Sequence, residues 1–217
     1  MVEVKKYHLP PTELIPNSPQ PLLHYPGFLK VGESQNLAAE VYDLFSRNGW
    51  QTQWIFRYGP TQTSHYHSEA HECMAVLTGS AKIRFGVADT SSDLEESTYG
   101  PGKEDGGVVV DANAGDVFIL PAGTAHKTFN TSPSAEFKLL TPGDGHNVAA
   151  DDVRDALANV ELTGFTMIGA YPKDGGSWDF AKGGENAGDY EKVWSVAKPD
   201  HDPVLGKAED GLCGHWH

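Results

Sequence analysis

The sequence predicts an all-β fold, a sandwich or barrel of short antiparallel strands carrying one or two short helices. Three observations predict it. Turn residues punctuate a series of short runs rich in β-branched and aromatic residues, several of these runs are apolar at both parities, and helical periodicity is confined to two stretches. With 217 residues, 39% of them hydrophobic, the chain is long enough for one sizeable core. A single domain over 1–217 is therefore expected, with a barrel core at about 50–142 and extensions at 1–49 and 143–217.

In chain order, the amino-terminal extension leads into "NLAAEVYDLFSRNGW", where Leu37, Val41, Leu44 and Phe45 form a helical stripe that Asn48-Gly49 ends. Strand-like runs follow: "WQTQWIFRYG", "CMAVLTG", "AKIRFG", "GVVVDA", "GDVFILP", "HKTFN", "EFKLLTP" and "FTMIGAYP", each bounded by Gly, Pro, Asn or Asp. In "CMAVL", Cys73, Ala75 and Leu77 alternate with Met74 and Val76, so both faces of that strand are covered. The barrel interior covers one; another sheet or a second subunit covers the other, and a homodimer is expected. Lys82 and Arg84 alternate with Ile83 and Phe85 and mark a strand exposed on one side. The segment from Val87 to Gly107 is acidic and rich in Gly, Ser and Pro, as a solvated hairpin connection would be. After "TPGDG", Asp151-Asp152 caps a second short helix that presents Val153, Ala156, Leu157 and Val160.

Charge excludes two classes of partner. Thirty acidic against 16 basic residues give a formal charge of −14, which repels nucleic-acid phosphates and anionic lipid alike. No apolar run resembles a signal-peptide core or approaches a transmembrane length, and a cytoplasmic location is expected. Cys73 and Cys213 lack any paired zinc-type spacing and read as free thiols. Without a secretory route, the sequon at Asn130-Thr131-Ser132 stays unused.

Chemistry concentrates in "SHYHSEAHE", Ser64 to Glu72. On one unbroken strand, His65, His67 and His71 share a face and Glu72 points away. If "SEA" forms a turn, the parity changes, Glu72 joins His65 and His67, and His71 is expelled. The wider spacing bears on the choice. Gly59 is followed after five residues by His65-x-His67, after four more by Glu72 and after six by Gly79. Gly115 is followed after five residues by Pro121-x-Gly123, after two by His126 and after three by Asn130. Ten positions are thus specified, and at about 5% usage per residue type they coincide by chance on the order of once in 10^13 placements.

These spacings resemble the two motifs of the cupin superfamily, the RmlC-like β-barrels, with no departure at a fixed position. Beyond the motifs, "ELIPNSPQPLLHY", "FSRNGW", "IGAYP", "WDF" and "DPVLG" resemble a group of single-domain cupins of the YjlB type, from which Gly143 to Thr163 departs as an insertion. The resemblance implies a jelly-roll, or double-stranded β-helix, and a metal held by His65, His67, Glu72 and His126. It names no reaction.

Reading the residues themselves gives a compatible site. His65 and His67 form a chelating pair, "SEA" a turn, and His126 approaches from a partner hairpin. Three imidazoles and a carboxylate suit Fe, Mn, Ni or Zn as a divalent ion. The expected function is a metal-dependent enzyme acting on a small organic molecule, first of all an oxygen-using dioxygenase with Glu72 as the catalytic base. A metal-assisted decarboxylase or isomerase, and a non-catalytic module binding a sugar or small ligand, are the alternatives. Tyr66 and His71 read as outward packing residues, Arg57, Lys82, Arg84 and Lys138 as surface charges, and the tail "CGHWH" as a docking segment.

Overall fold

The computed structural model describes residues 2–217. Ten strands form two antiparallel sheets. The larger has the order β1 (Lys5–Tyr7), β2 (Leu22–Tyr25), β7 (Val117–Leu120), β4 (Glu72–Thr78), β10 (Thr166–Pro172), β3 (Trp50–Arg57), β9 (Lys138–Leu139). The smaller has the order β6 (Val108–Asn113), β5 (Ser80–Phe85), β8 (His126–Ser132). The sheets are linked through the β4–β5 turn at Gly79, whose φ of +74° and close approach to the Ser132 and Gly164 carbonyls leave no room for a side chain. No helix among the described residues is long and apolar enough to cross a membrane.

Strand parity builds two cores. Met74 and Val76 of β4 point between the sheets, where they meet Trp54, Ile83, Phe85, Phe118, Phe165, Met167 and Tyr171. Cys73, Ala75 and Leu77 point the other way, beside Ile55, Val117, Ile119, Ile168 and Ala170. The cover of this second face comes from the chain itself. Helix α1 (Leu37–Arg47), capped by the Asn36 side chain, lays Val41 and Phe45 on it, and the 143–163 segment adds its own helix, Val153–Ala158, packed against α1. Val204, Leu212 and the fully buried Trp216 of the carboxy-terminal extension complete it. The two-sided apolarity of β4 thus has an intrachain cause, and the expectation of a homodimer no longer rests on it.

One buried carboxylate pins that extension. Asp202, in "DPVLG", accepts from the Tyr25 hydroxyl at 2.5 Å and from the Val204, Leu205 and Leu212 amides at 2.8 Å each. Trp216 adds a bond from its indole to the Pro21 carbonyl at 2.9 Å.

The Val87–Gly107 segment departs from the sequence expectation. It is a folded cover over the outer face of the smaller sheet, with a short helix, Leu94–Tyr99, capped by Asp93. Arg84, expected at the surface, is 3% exposed; it donates to Asp89 Oδ1 at 2.5 Å and to the Ser97 carbonyl at 2.9 Å. Lys127, fully buried, reaches both Asp89 oxygens at 3.0–3.1 Å and Ser97 Oγ at 3.0 Å. Alternation located the Arg84 side chain correctly. It carried no information on what packs over it.

Two stability predictions follow from these clusters. Asp202→Ala leaves buried donors without an acceptor and is expected to cost about 3–5 kcal/mol in urea unfolding, whereas Tyr25→Phe, which deletes one donor, costs about 1.5–3 kcal/mol. Equal midpoints for Asp202→Ala and wild type would refute the pin. Asp89→Ala strands two buried cations and is expected to cost about 3–5 kcal/mol; a loss below about 1 kcal/mol would mean that the 87–107 cover is held by other contacts.

Candidate metal centre

The route of the chain from Ser64 to Glu72 determines what converges. His65 pairs with His126 in an isolated antiparallel bridge, with N–H to carbonyl distances of 3.1 and 2.8 Å in the two directions. His67 continues on the same face. Tyr66, between them, turns away, pairs with Ala181 and donates from its hydroxyl to Asn186 at 2.7 Å. At Ser68 the ladder stops, and the Ser68 amide and hydroxyl donate to the two Asp179 oxygens at 2.6 and 2.9 Å. It resumes at Glu72, opposite Leu120.

The break reverses the parity. His71 faces outward: its Nδ1 accepts from the Ala122 amide at 2.9 Å, its Nε2 donates to the Ala197 carbonyl at 3.1 Å, and its ring lies 4.9 Å from Trp216. Burial holds His71 down at about 4, so it packs as a neutral ring. Glu72, 2% exposed, faces inward. His126 begins β8 after the Pro121-x-Gly123 turn, which is tied to the site by the Gly123 amide donating to the His67 carbonyl at 2.8 Å.

One ring nitrogen from each of His65, His67 and His126 lies within 4.8 Å of the others, and all three residues are buried. Each Nδ1 faces a backbone carbonyl: Thr63 at 3.2 Å for His65, Asp179 for His67, Thr124 at 3.3 Å for His126. Nδ1–H donation to these carbonyls puts the Nε2 lone pairs at the centre, the orientation a metal requires. Glu72 borders the cluster, with Oε1 3.2 Å from His67 Nε2 and Oε2 3.4 Å from His126 Nε2. Among the described residues, Oε2 has no hydrogen-bond partner.

Lone pairs therefore face lone pairs in a dry space. Burial and the neighbouring imidazoles hold His65 well below its ordinary value, and burial likewise lowers His126. For His67 burial acts in the same direction, but the Glu72 carboxylate outweighs it and the net shift is upward. Burial alone would raise Glu72; His67, His126 and a bond from Tyr171 bring it to about 2. A carboxylate that stays ionised beside buried imidazoles, of which His67 alone is shifted toward its charged form, is stabilised by a positive charge between them, as a proton or a cation. Three nitrogens and a carboxylate oxygen fit a divalent transition metal.

An aromatic strap covers this centre. Phe180 stacks on His65 at 4.0 Å and is itself half-exposed, while Trp178 lies 5.3 Å from His67 and stacks on His146 at 4.0 Å. A cavity of about 680 Å³ lies beyond the Ser68–His71 turn, lined by His71, Glu69, Trp50 and residues 192–193 and 195–201. No local pattern assigns a role to Asp179, Trp178, Phe180 or Tyr171, although "WDF" and "IGAYP" carry part of the resemblance. Period-2 alternation along β10 places Tyr171 with Met167 on the inner face, a signal that was available. The strap has no periodicity to read. The remaining candidates lie elsewhere: Lys82 pairs with Asp111 at 2.6 Å, Arg57 donates to the Glu136 carbonyl and Thr163 at 3.0 Å each, Lys138 lies on the edge strand β9, and the "CGHWH" tail docks on the outer face.

Two sheets closed on an aromatic core, with histidines and a glutamate gathered from two spaced motifs at one end, make a cupin-type fold. The Cupin family model matches residues 61–162. The chain is similar to the uncharacterized protein YjlB of Bacillus subtilis (strain 168), with 28% identity over 213 residues, covering 95% of this chain and 93% of that protein. Among solved structures, RmlC from Streptococcus suis is similar at TM-score 0.32 and 11% identity, covering 79% of this chain and 70% of that one. The 3,4-ketoisomerase QdtA from Thermoanaerobacterium thermosaccharolyticum is similar at TM-score 0.32 and 13% identity over 59% of this chain and 64% of that one. Likenesses this distant say nothing about the reaction.

The parity reversal makes a direct prediction. Glu72→Gln keeps the shape but removes the anion, so metal stoichiometry after dialysis is expected to fall, while His71→Ala retains it near wild type. Elemental analysis of the two purified variants checks this, and the opposite pattern would place the strand break wrongly.

Proposed function

We propose that the chain is a metal-dependent enzyme acting on a small organic molecule, with His65, His67, Glu72 and His126 as ligands, and that its reaction is an oxygen-using dioxygenation. The observation that carries this reading is the set of three imidazoles held by Nδ1 on backbone carbonyls around a buried carboxylate whose Oε2 has no partner. When bound, a divalent ion would supply Lewis acidity toward substrate and, if redox-active, electrons toward oxygen.

The chain's own groups supply the rest. The carbonyls of Thr63, Asp179 and Thr124 fix the imidazole planes, so the donor set exists before anything binds. Trp178 and Phe180 exclude water from the centre. The inner core is filled by Trp54, Tyr58, Phe118, Phe165 and Met167, which restricts substrate to a small molecule reaching the histidines from the Phe180 side. Glu72 would act as base through Oε2 once that oxygen detaches from the ion, since its Oε1 already accepts the Tyr171 hydroxyl. A Lewis-acid decarboxylase or isomerase would use the same ligands and differs in needing no oxygen.

Protein purified without chelator is expected to hold about one transition-metal ion per chain, and turnover of a screened substrate should vanish on chelation and return with one metal. Oxygen consumption matched to turnover supports dioxygenation; anaerobic turnover points to the Lewis-acid reaction. A protein that stays metal-free after reconstitution with Fe(II), Mn(II), Ni(II) and Zn(II) would end the metal-dependent reading.

A further inference from the structure

We propose that Tyr171 is a positioning residue of this centre which, backed by Trp54, holds Glu72 as a one-oxygen ligand through Oε2. The inference rests on the metal-dependent reading above. It begins with a bond whose direction has a single solution. The Tyr171 hydroxyl is 2.6 Å from Glu72 Oε1, and the Trp54 indole nitrogen is 3.1 Å from the same hydroxyl oxygen. An indole N–H only donates, and a hydroxyl has one hydrogen. Trp54 therefore donates to Tyr171, and Tyr171 donates to Glu72.

The backbone is arranged to allow this. Gly169 of β10 sits opposite Trp54 of β3, and a Cβ at Gly169 would overlap the indole ring. With no side chain there, the ring lies over the strand and its N–H reaches the hydroxyl two residues further along. Trp54 and Tyr171 are both buried, so no water competes for either bond.

The consequence falls on the two carboxylate oxygens. Oε1 receives a charge-assisted bond that satisfies part of its acceptor capacity. Oε2, 3.4 Å from His126 Nε2, receives none. A metal among the imidazoles then meets one free oxygen and one already engaged, and the carboxylate is kept from rotating to offer both. A purely structural tyrosine would fill the core without sorting the oxygens.

Tyr171→Phe removes only the hydroxyl, and Trp54→Phe removes the N–H that orients it. The probe is Co(II), titrated into metal-stripped protein in competition with a chelator and followed through its visible bands. Tyr171→Phe is expected to weaken Co(II) binding about 10- to 100-fold, the usual range for loss of such a partner, and to shift the visible bands as the carboxylate is freed to bind through both oxygens. Trp54→Phe should shift both readouts in the same direction and by less. A lowered melting temperature with wild-type affinity and spectrum in both variants would overturn the positioning role and leave the metal reading intact. Wild-type protein that takes up no Co(II) would overturn both.

Discussion

The central strands of the larger sheet, β2, β7, β4 and β10, have no face that water can meet. Strand β4 carries Met74 and Val76 inward and Cys73, Ala75 and Leu77 outward, all of them buried. A sheet with this pattern requires a second layer on the outside, at about 25 cal/mol for every Å² of apolar surface removed from water. The extensions of this chain are that layer. Helix α1, the 143–163 segment and the carboxy-terminal run to Trp216 cover one continuous surface, and Asp202 locks the last of them through the Tyr25 hydroxyl on β2.

The cover also shapes the metal centre. His71 could not face outward without something to receive it, because both ring nitrogens need partners once buried. The Ala197 carbonyl and the Trp216 ring, both from the covering segment, receive it, together with the Ala122 amide. With His71 committed to the outside, Glu72 enters the barrel and the ladder restarts at β4. The Asp179 side chain holds the intervening turn from the other end through Ser68, and its carbonyl orients His67. One strap residue thus sets both the strand break and a ligand.

Local signals were legible in the sequence and long-range ones were not. Helix α1 showed its stripe and its Asn48-Gly49 stop, and β3 to β8 showed their turns, because these are decided by neighbours within a few residues. The motif spacing brought the histidines and Glu72 to notice. Parity gave the inner and outer faces of "CMAVL" but not the identity of the cover, which comes from α1, the 143–163 segment and the carboxy-terminal extension, all outside the neighbourhood of the strand. Arg84 failed for the same reason: alternation placed it outward, and only the fold of 87–107 buries it against Asp89. Asp179 to Ser68, 111 residues apart, is a contact that no local pattern encodes.

Asp89, Asp202 and Glu72 show three ways of keeping a negative charge out of water. Asp89 faces two cations, Arg84 and Lys127, with the Ser64 amide as a further donor. Asp202 faces no cation and is held by three backbone amides and a phenol. Both are satisfied by the protein alone. Glu72 has one donor, Tyr171, and otherwise faces Nε2 atoms of histidines whose protons are drawn to the far side by backbone carbonyls. Such an arrangement raises the energy of the protein by itself and is relieved by a positive charge at the point where the lone pairs meet. A proton relieves one pair of atoms, between His67 and Glu72. A divalent ion relieves all of them together, and that difference is the physical reason for reading the cluster as a metal centre.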